Sequence, residues 1–82
     1  MAGKKPAKLD FPTWLTPEGE PVSCLEKIKV LNENLAEIQE MSQEALEDAI
    51  LMGCDENQFR EVVRKLVESL VNPYKKNRPS GS

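Results

Sequence analysis

The side chains that could take part in chemistry are two cysteines and many carboxylates, because the 82-residue chain contains no histidine. Histidine is the most common general base near neutral pH, so we predict a non-enzymatic protein with no catalytic residue. Cys54 stands just before a predicted helix, whose dipole would stabilise a thiolate. A thiol-redox role through Cys54 is therefore our third functional hypothesis.

Carboxylates are concentrated in the middle of the chain. From Leu31 to Gln58 there are eight acids and no base, and all eleven bases lie in the flanks. Carboxylate pairs on an exposed helix are usually ordinary surface, so we predict no metal site and no cofactor. Five acids recur every three or four residues and share one side of a helix, where they would attract a basic partner or simply face solvent: Glu33, Glu37, Glu40, Glu44 and Glu47.

An amphipathic helix must position most of these residues, and we predict it for residues 24–52. Ser23 and Glu26 have the spacing of a capping box at its start. Gly53 suits the left-handed conformation that ends a helix. An apolar seam repeats at alternating steps of four and three residues, the heptad spacing of packed helices: Cys24, Ile28, Leu31, Leu35, Ile38, Ser42, Ala45, Ala49 and Met52.

A second, shorter helix is predicted for residues 56–71. Asp55 suits its N-cap position, and apolar residues from Phe59 to Val71 form one broad face. Pro73 disfavours helical geometry in the residue before it and so ends the helix. Because the connection is short and no strand pattern is present, the sequence predicts an all-α protein, an antiparallel helical hairpin.

The two predicted helices differ in length, about 43 Å against about 24 Å at ~1.5 Å per residue. The shorter helix therefore leaves an apolar stripe of the longer one open, at Leu25, Ile28, Leu31 and Leu35. A second copy of the chain would cover this stripe, so we predict a homodimer with the form of a four-helix bundle. The alternative is a three-helix monomer with a break near Ser42.

An aromatic arm precedes the hairpin. Phe11, Trp14 and Leu15 would pack on the long helix or dock on another chain. The sequence Thr16-Pro17-Glu18-Gly19 suits a β-turn. Four regions are thus predicted: a disordered basic tail (1–8), the irregular arm (9–22), the helical hairpin domain (23–73) and a disordered tail (74–82).

These features predict a small protein–protein interaction module, an adaptor or regulatory subunit that self-associates through its apolar seam. The acidic stripe favours a basic protein as a further partner. The second hypothesis is a nucleic-acid-associated accessory factor that uses the basic tails. Nucleic acid is the less favoured partner, because phosphates require clustered cations. No apolar run is long enough to span a membrane and no secretory signal is evident, so we expect a cytoplasmic protein with reduced cysteines.

Overall fold

The computed structural model describes residues 8–74, which form two α-helices preceded by a short arm. Helix α1 spans Leu25–Leu51 and helix α2 spans Glu56–Glu68. The predicted all-α helical hairpin is therefore confirmed. The alternative with a break near Ser42 is wrong, because α1 runs through 27 residues without interruption. Its sequence contains no Pro or Gly that would kink it.

The start of α1 differs from the predicted capping box. Cys24 is the N-cap residue, with φ −76° and ψ 117°, and no side-chain hydrogen bond caps the helix. A capping box needs Glu or Gln at the third helical position, and with Cys24 as N-cap that position is Lys27. Ser23 and Glu26 are thus one residue out of register with the helix, and the capping-box prediction is wrong.

The turn between the helices is a Schellman motif centred on Gly53. The Cys54 N–H donates to the Ala49 carbonyl (2.8 Å), and the Gly53 N–H donates to the Ile50 carbonyl (3.0 Å). Gly53 has φ +92°, a conformation that L-residues rarely adopt. Asp55 then caps α2 as predicted, its carboxylate accepting from the Gln58 N–H at 2.7 Å.

Helix α2 ends at Glu68, three residues before the predicted end at Val71. The Ser69 hydroxyl donates to the Leu66 carbonyl at 2.6 Å, so its side chain competes for the last helical carbonyls. The Leu70 N–H donates to the Val67 carbonyl at 3.2 Å, which tightens the final turn. Asn72 accepts from the Tyr74 N–H at 2.8 Å, an Asx turn that keeps the chain out of the helix.

Residues 14–22 of the arm form a tight hairpin. The Gly19 N–H donates to the Thr16 carbonyl at 2.8 Å, which closes the predicted turn. Gly19 has φ +89°, and an antiparallel bridge joins Leu15 to Pro21. The arm is tied to α1 by one long-range hydrogen bond, from the Trp14 indole N–H to the Asn32 side-chain oxygen at 2.7 Å.

Side-chain burial is low throughout residues 8–74. No residue in this range is buried, and the apolar contacts between the elements are at best half-buried. A compact domain of this size would hide several large apolar side chains completely. The hairpin and its arm therefore form an open arrangement in which each helix has one face without a partner.

Candidate interaction surface

The predicted self-association stripe lies beneath the arm. Ile28, Leu31 and Leu35 are half-buried, whereas Leu25, at the first position of α1, is 80% exposed. The Trp14–Asn32 hydrogen bond places the arm on this half of α1, and Trp14 itself is half-buried. The arm thus gives partial cover to the section of α1 that lies beyond the reach of α2.

The other two arm residues predicted to pack are more open. Phe11 is 47% exposed and Leu15 is 58% exposed. Leu15 lies on the tight hairpin and Phe11 precedes it, and neither has a described side-chain hydrogen bond to α1. The structure therefore brings one of the three predicted arm residues firmly onto α1, and the other two remain accessible.

The contact between the helices opens on one side into a groove of about 420 Å³. Leu46 of α1 and Phe59 and Val63 of α2 are half-buried at its base. Its rim is polar and consists of Gln39, Gln43, Arg60 and Arg64. Ser42 of the predicted seam also lines the groove, but Gln39 takes the place that the seam gave to Ile38, which is 60% exposed.

A second apolar surface, which we call the hairpin face, lies on the opposite side of the contact. Ile38 precedes Gln39 in α1, and Val62 and Leu66 precede Val63 and Val67 in α2. Consecutive residues of an α-helix point about 100° apart around the helix axis. Because the two helices are antiparallel, the residues that precede the groove-lining ones project to the same side of the hairpin on both helices. The hairpin face consists of five side chains that are 55–72% exposed: Ile38, Met41, Val62, Leu66 and Leu70.

The five acids of the predicted stripe lie on helix α1, and a cation pairs with the stripe at its Glu33 end. Glu33 forms an exposed ion pair with Lys29 at 3.9 Å, and Glu47 accepts from the Gln43 side-chain amide at 3.0 Å. The three central acids are exposed and have no cationic partner among residues 8–74: Glu37, Glu40 and Glu44. Glu47 also has no cation beside it in this part of the chain, so four of the five charges of the stripe are not paired with a base there.

Both arginines of α2 form ion pairs with acids of the same helix. Arg60 pairs with Glu56 at 3.0 Å, and Arg64 pairs with Glu68 at 2.6 Å and with Glu61. Lys65 is exposed and makes no ion pair within the described part of the chain. Lys65 is thus the one cation of α2 left for a contact outside the described residues.

Both cysteines are exposed free thiols, one near each end of α1. A helix of 27 residues separates them by about 40 Å, so they cannot form a disulfide within the folded chain. The pKa of Cys24 is lowered, mainly by the Lys27 backbone N–H, with smaller contributions from the Glu26 N–H and the Lys27 charge. Sequence reasoning missed Cys24 because the capping box assigned the N-cap position to Ser23.

The remaining functional hypotheses have less structural support. Cys54 lies in the turn, where Asp55 takes the N-cap position beside the α2 N-terminus. The basic segments invoked for nucleic-acid binding lie outside the described residues, apart from Lys8. Within residues 8–74 no three metal-ligating side chains converge, and neither helix is long and apolar enough to cross a bilayer. No protein-family model, curated protein or solved structure matches this chain.

Proposed function

We propose that the protein is a small, non-enzymatic interaction module that self-associates through apolar surface of its helical hairpin. The observation that carries this proposal is the absence of a buried residue anywhere in 8–74, together with large apolar side chains exposed on α1 and α2. Soluble monomers rarely leave a contiguous apolar face of this kind in water. Covering the face with a second copy creates the interior that a single chain lacks.

The small size of the chain supports the same proposal. A domain below about 70–80 residues rarely gains more than ~3–5 kcal/mol from its core without a disulfide, a metal or a second subunit. The two thiols are too far apart to form a disulfide within the chain. A second subunit is the remaining source of stability that the exposed apolar side chains directly indicate.

The acidic stripe supports the wider role of an adaptor or regulatory subunit. Glu37, Glu40 and Glu44 place like charges at adjacent positions of one helix, which costs a few tenths of a kcal/mol for each pair. A basic protein partner would offset that cost and would associate faster at low salt.

Concentration-dependent unfolding tests the proposal on the full chain. An obligate dimer gains stability with protein concentration, whereas the unfolding midpoint of a monomer does not move. We expect the thermal midpoint followed by circular dichroism to rise by several degrees between ~5 μM and ~500 μM protein. A cooperative transition at one fixed temperature across this range would contradict self-association.

A further inference from the structure

We infer that the second copy docks on the hairpin face, with α1 of one protomer opposite α2 of its partner. This inference rests on the proposed self-association and adds its surface and arrangement. It moves the contact from the predicted stripe under the arm to Ile38, Met41, Val62, Leu66 and Leu70. Each of these side chains is more than half exposed in the single chain.

The hairpin face is suited to docking because both helices contribute exposed apolar side chains to it. Ile38 and Met41 lie on successive turns of α1, Val62 and Leu66 lie on successive turns of α2, and Leu70 follows just beyond the end of α2. The arm covers a different part of α1, where Trp14 bonds to Asn32. Two such faces placed together would form a four-helix layer structure with apolar side chains inside, as in helical bundles.

The rims of this face carry opposite charges on the two helices. Glu37 and Glu44 border it along α1, and Lys65 borders it along α2. Counting back from the turn in the antiparallel hairpin places Lys65 level with Glu40, about one helical turn from both Glu37 and Glu44. Within a protomer the two rims lie on opposite edges of the face, which agrees with the absence of an ion pair between them in the described residues.

This charge pattern selects one of the two ways in which the faces can meet with twofold symmetry. Placing α1 opposite α1 of the partner would bring the two acidic rims together, and like charges in contact cost free energy. Placing α1 opposite α2 of the partner sets Lys65 of each protomer against the acidic rim of the other. All neighbouring helices are then antiparallel, and both interhelical turns lie at the same end of the bundle.

The groove on the other side of the hairpin offers no equivalent complementarity. Its cations, Arg60 and Arg64, are already paired with acids of α2. Its rim is otherwise formed by the amides of Gln39 and Gln43. The hairpin face therefore combines the exposed apolar area with the unpaired charges, and the groove does not.

A matched pair of substitutions tests the surface. Leu66→Glu places a charge in the hairpin face, and Leu25→Glu places the same charge at an exposed site on α1 outside that face. We expect Leu66→Glu to raise the dimer Kd by at least ~100-fold and Leu25→Glu to change it less than ~3-fold, both measured by sedimentation equilibrium. A dimer that survives Leu66→Glu would overturn the assignment of this face.

Charge exchange tests the arrangement. Lys65→Glu is expected to raise the Kd about 3- to 10-fold at low salt, and the double variant Glu37→Lys/Glu44→Lys to do likewise. Combining all three substitutions restores complementarity and should return the Kd to within about 3-fold of its original value. Effects that simply accumulate in the triple variant would contradict a contact between these rims.

Cross-linking tests the arrangement without altering the interface. Cys24→Ser leaves Cys54 as the only thiol, and Cys54 is exposed in the turn. With both turns at one end of the bundle, the two thiols lie on adjacent helix layers about 10 Å apart, and a short bismaleimide should give a covalent dimer. In the opposed arrangement the turns lie at opposite ends, separated by at least the ~20 Å length of α2, and no covalent dimer should form.

The experiments separate failure of this inference from failure of self-association. If the unmodified chain sediments as a monomer at all concentrations, the proposed function is wrong. If it sediments as a dimer that resists Leu66→Glu, self-association stands and the hairpin face is wrong. If Leu66→Glu dissociates a dimer in which Cys54 does not cross-link, the face stands and the arrangement of the helices is wrong.

Discussion

Cys24 shows how a single position can acquire reactivity from the start of a helix. Its thiol is exposed and lies at the N-cap of α1, where the Lys27 N–H lowers its pKa from 9.0. A lowered pKa increases the thiolate fraction at neutral pH, and the thiolate is the nucleophile. Because the pKa is lower in the folded state, the linked stabilisation is present above pH 9 and is lost as the pH falls through the folded-state pKa.

We therefore predict that Cys24 is alkylated by iodoacetamide at a lower pH in the folded chain than in concentrated urea. The pH dependence of the rate, followed by peptide mass spectrometry, gives the thiol pKa in each state. Lys27→Ala is the control, since it removes the smaller contribution of the charge and keeps the backbone donor. Equal midpoints in the folded and unfolded states would show that the N-cap position does not act on this thiol.

Gly53 is the residue on which the turn most depends. Its φ of +92° is strained for any side chain, although a Cβ added there would meet no atom within 4 Å. We predict that Gly53→Ala lowers the free energy of unfolding by ~1 kcal/mol in urea titrations at fixed protein concentration. Gly53→Asn should cost less, because Asn tolerates the left-handed region better. If Ala proved as stable as Gly, the Schellman geometry would be in doubt.

At the scale of elements, α2 depends on its N-cap. Asp55 accepts a 2.7 Å hydrogen bond from the Gln58 N–H, and loss of such a cap typically costs ~1 kcal/mol. We predict that loss for Asp55→Ala, measured as reduced stability and reduced helix content by circular dichroism. Asp55→Asn keeps an acceptor of the same shape and should retain most of the stability. A large loss in both variants would assign the effect to charge instead of capping.

The arm is held by a polar contact that a pair of matched substitutions can isolate. Asn32→Ala removes the acceptor of the Trp14 indole N–H, while Asn34→Ala makes the same change at an exposed position of α1. Both gain the higher helix propensity of Ala, so their difference reports the contact. We predict that Asn32→Ala is less stable by ~1 kcal/mol and exposes Trp14 to iodide quenching. Identical behaviour of the two variants would mean that the arm is not docked here.

The sequence predicted the elements better than it predicted their contacts. Both helices, the Gly53 turn and the Asp55 cap were identified because periodicity and capping chemistry are local properties of the chain. The N-cap of α1 was misplaced by one residue because Ser23 and Cys24 are adjacent and only the backbone decides between them. Helix α2 ends before its predicted end because the Ser69 hydroxyl bonds to a carbonyl of the last helical turn. The prediction relied on Pro73 as the end signal and did not consider this bond.

The candidate surface was harder to predict because it depends on how two helices rotate against each other. The heptad seam included Ile38, whereas the observed contact uses Gln39, one residue or ~100° further round α1. That rotation exposes Ile38 and Met41 and sets them beside Val62 and Leu66. The hydrogen bond between Trp14 and Asn32 joins residues far apart in the chain and has no counterpart in the hydrophobic periodicity. The position at which the arm docks could therefore not be predicted from the sequence.

At the scale of the whole molecule, the account depends on one property: a single chain does not bury a core. Two helices and an arm leave every described residue at least partly exposed, and large exposed apolar side chains occur on both helices. The acidic rim of α1 and the unpaired Lys65 of α2 border the hairpin face with opposite charges, and a second copy can place its own opposite charges against them. The proposed interaction role rests on this property, and the proposed arrangement of helices rests on the charges.

Sedimentation equilibrium of the unmodified chain distinguishes a dimer from a stable monomer. The predicted result is a species of twice the 9.2 kDa chain mass at ~100 μM, dissociating reversibly on dilution. The contradictory result is a 9.2 kDa particle at every concentration that still unfolds cooperatively. Such a particle would be stable without a second copy, and the exposed apolar face would then have to be explained by a different partner.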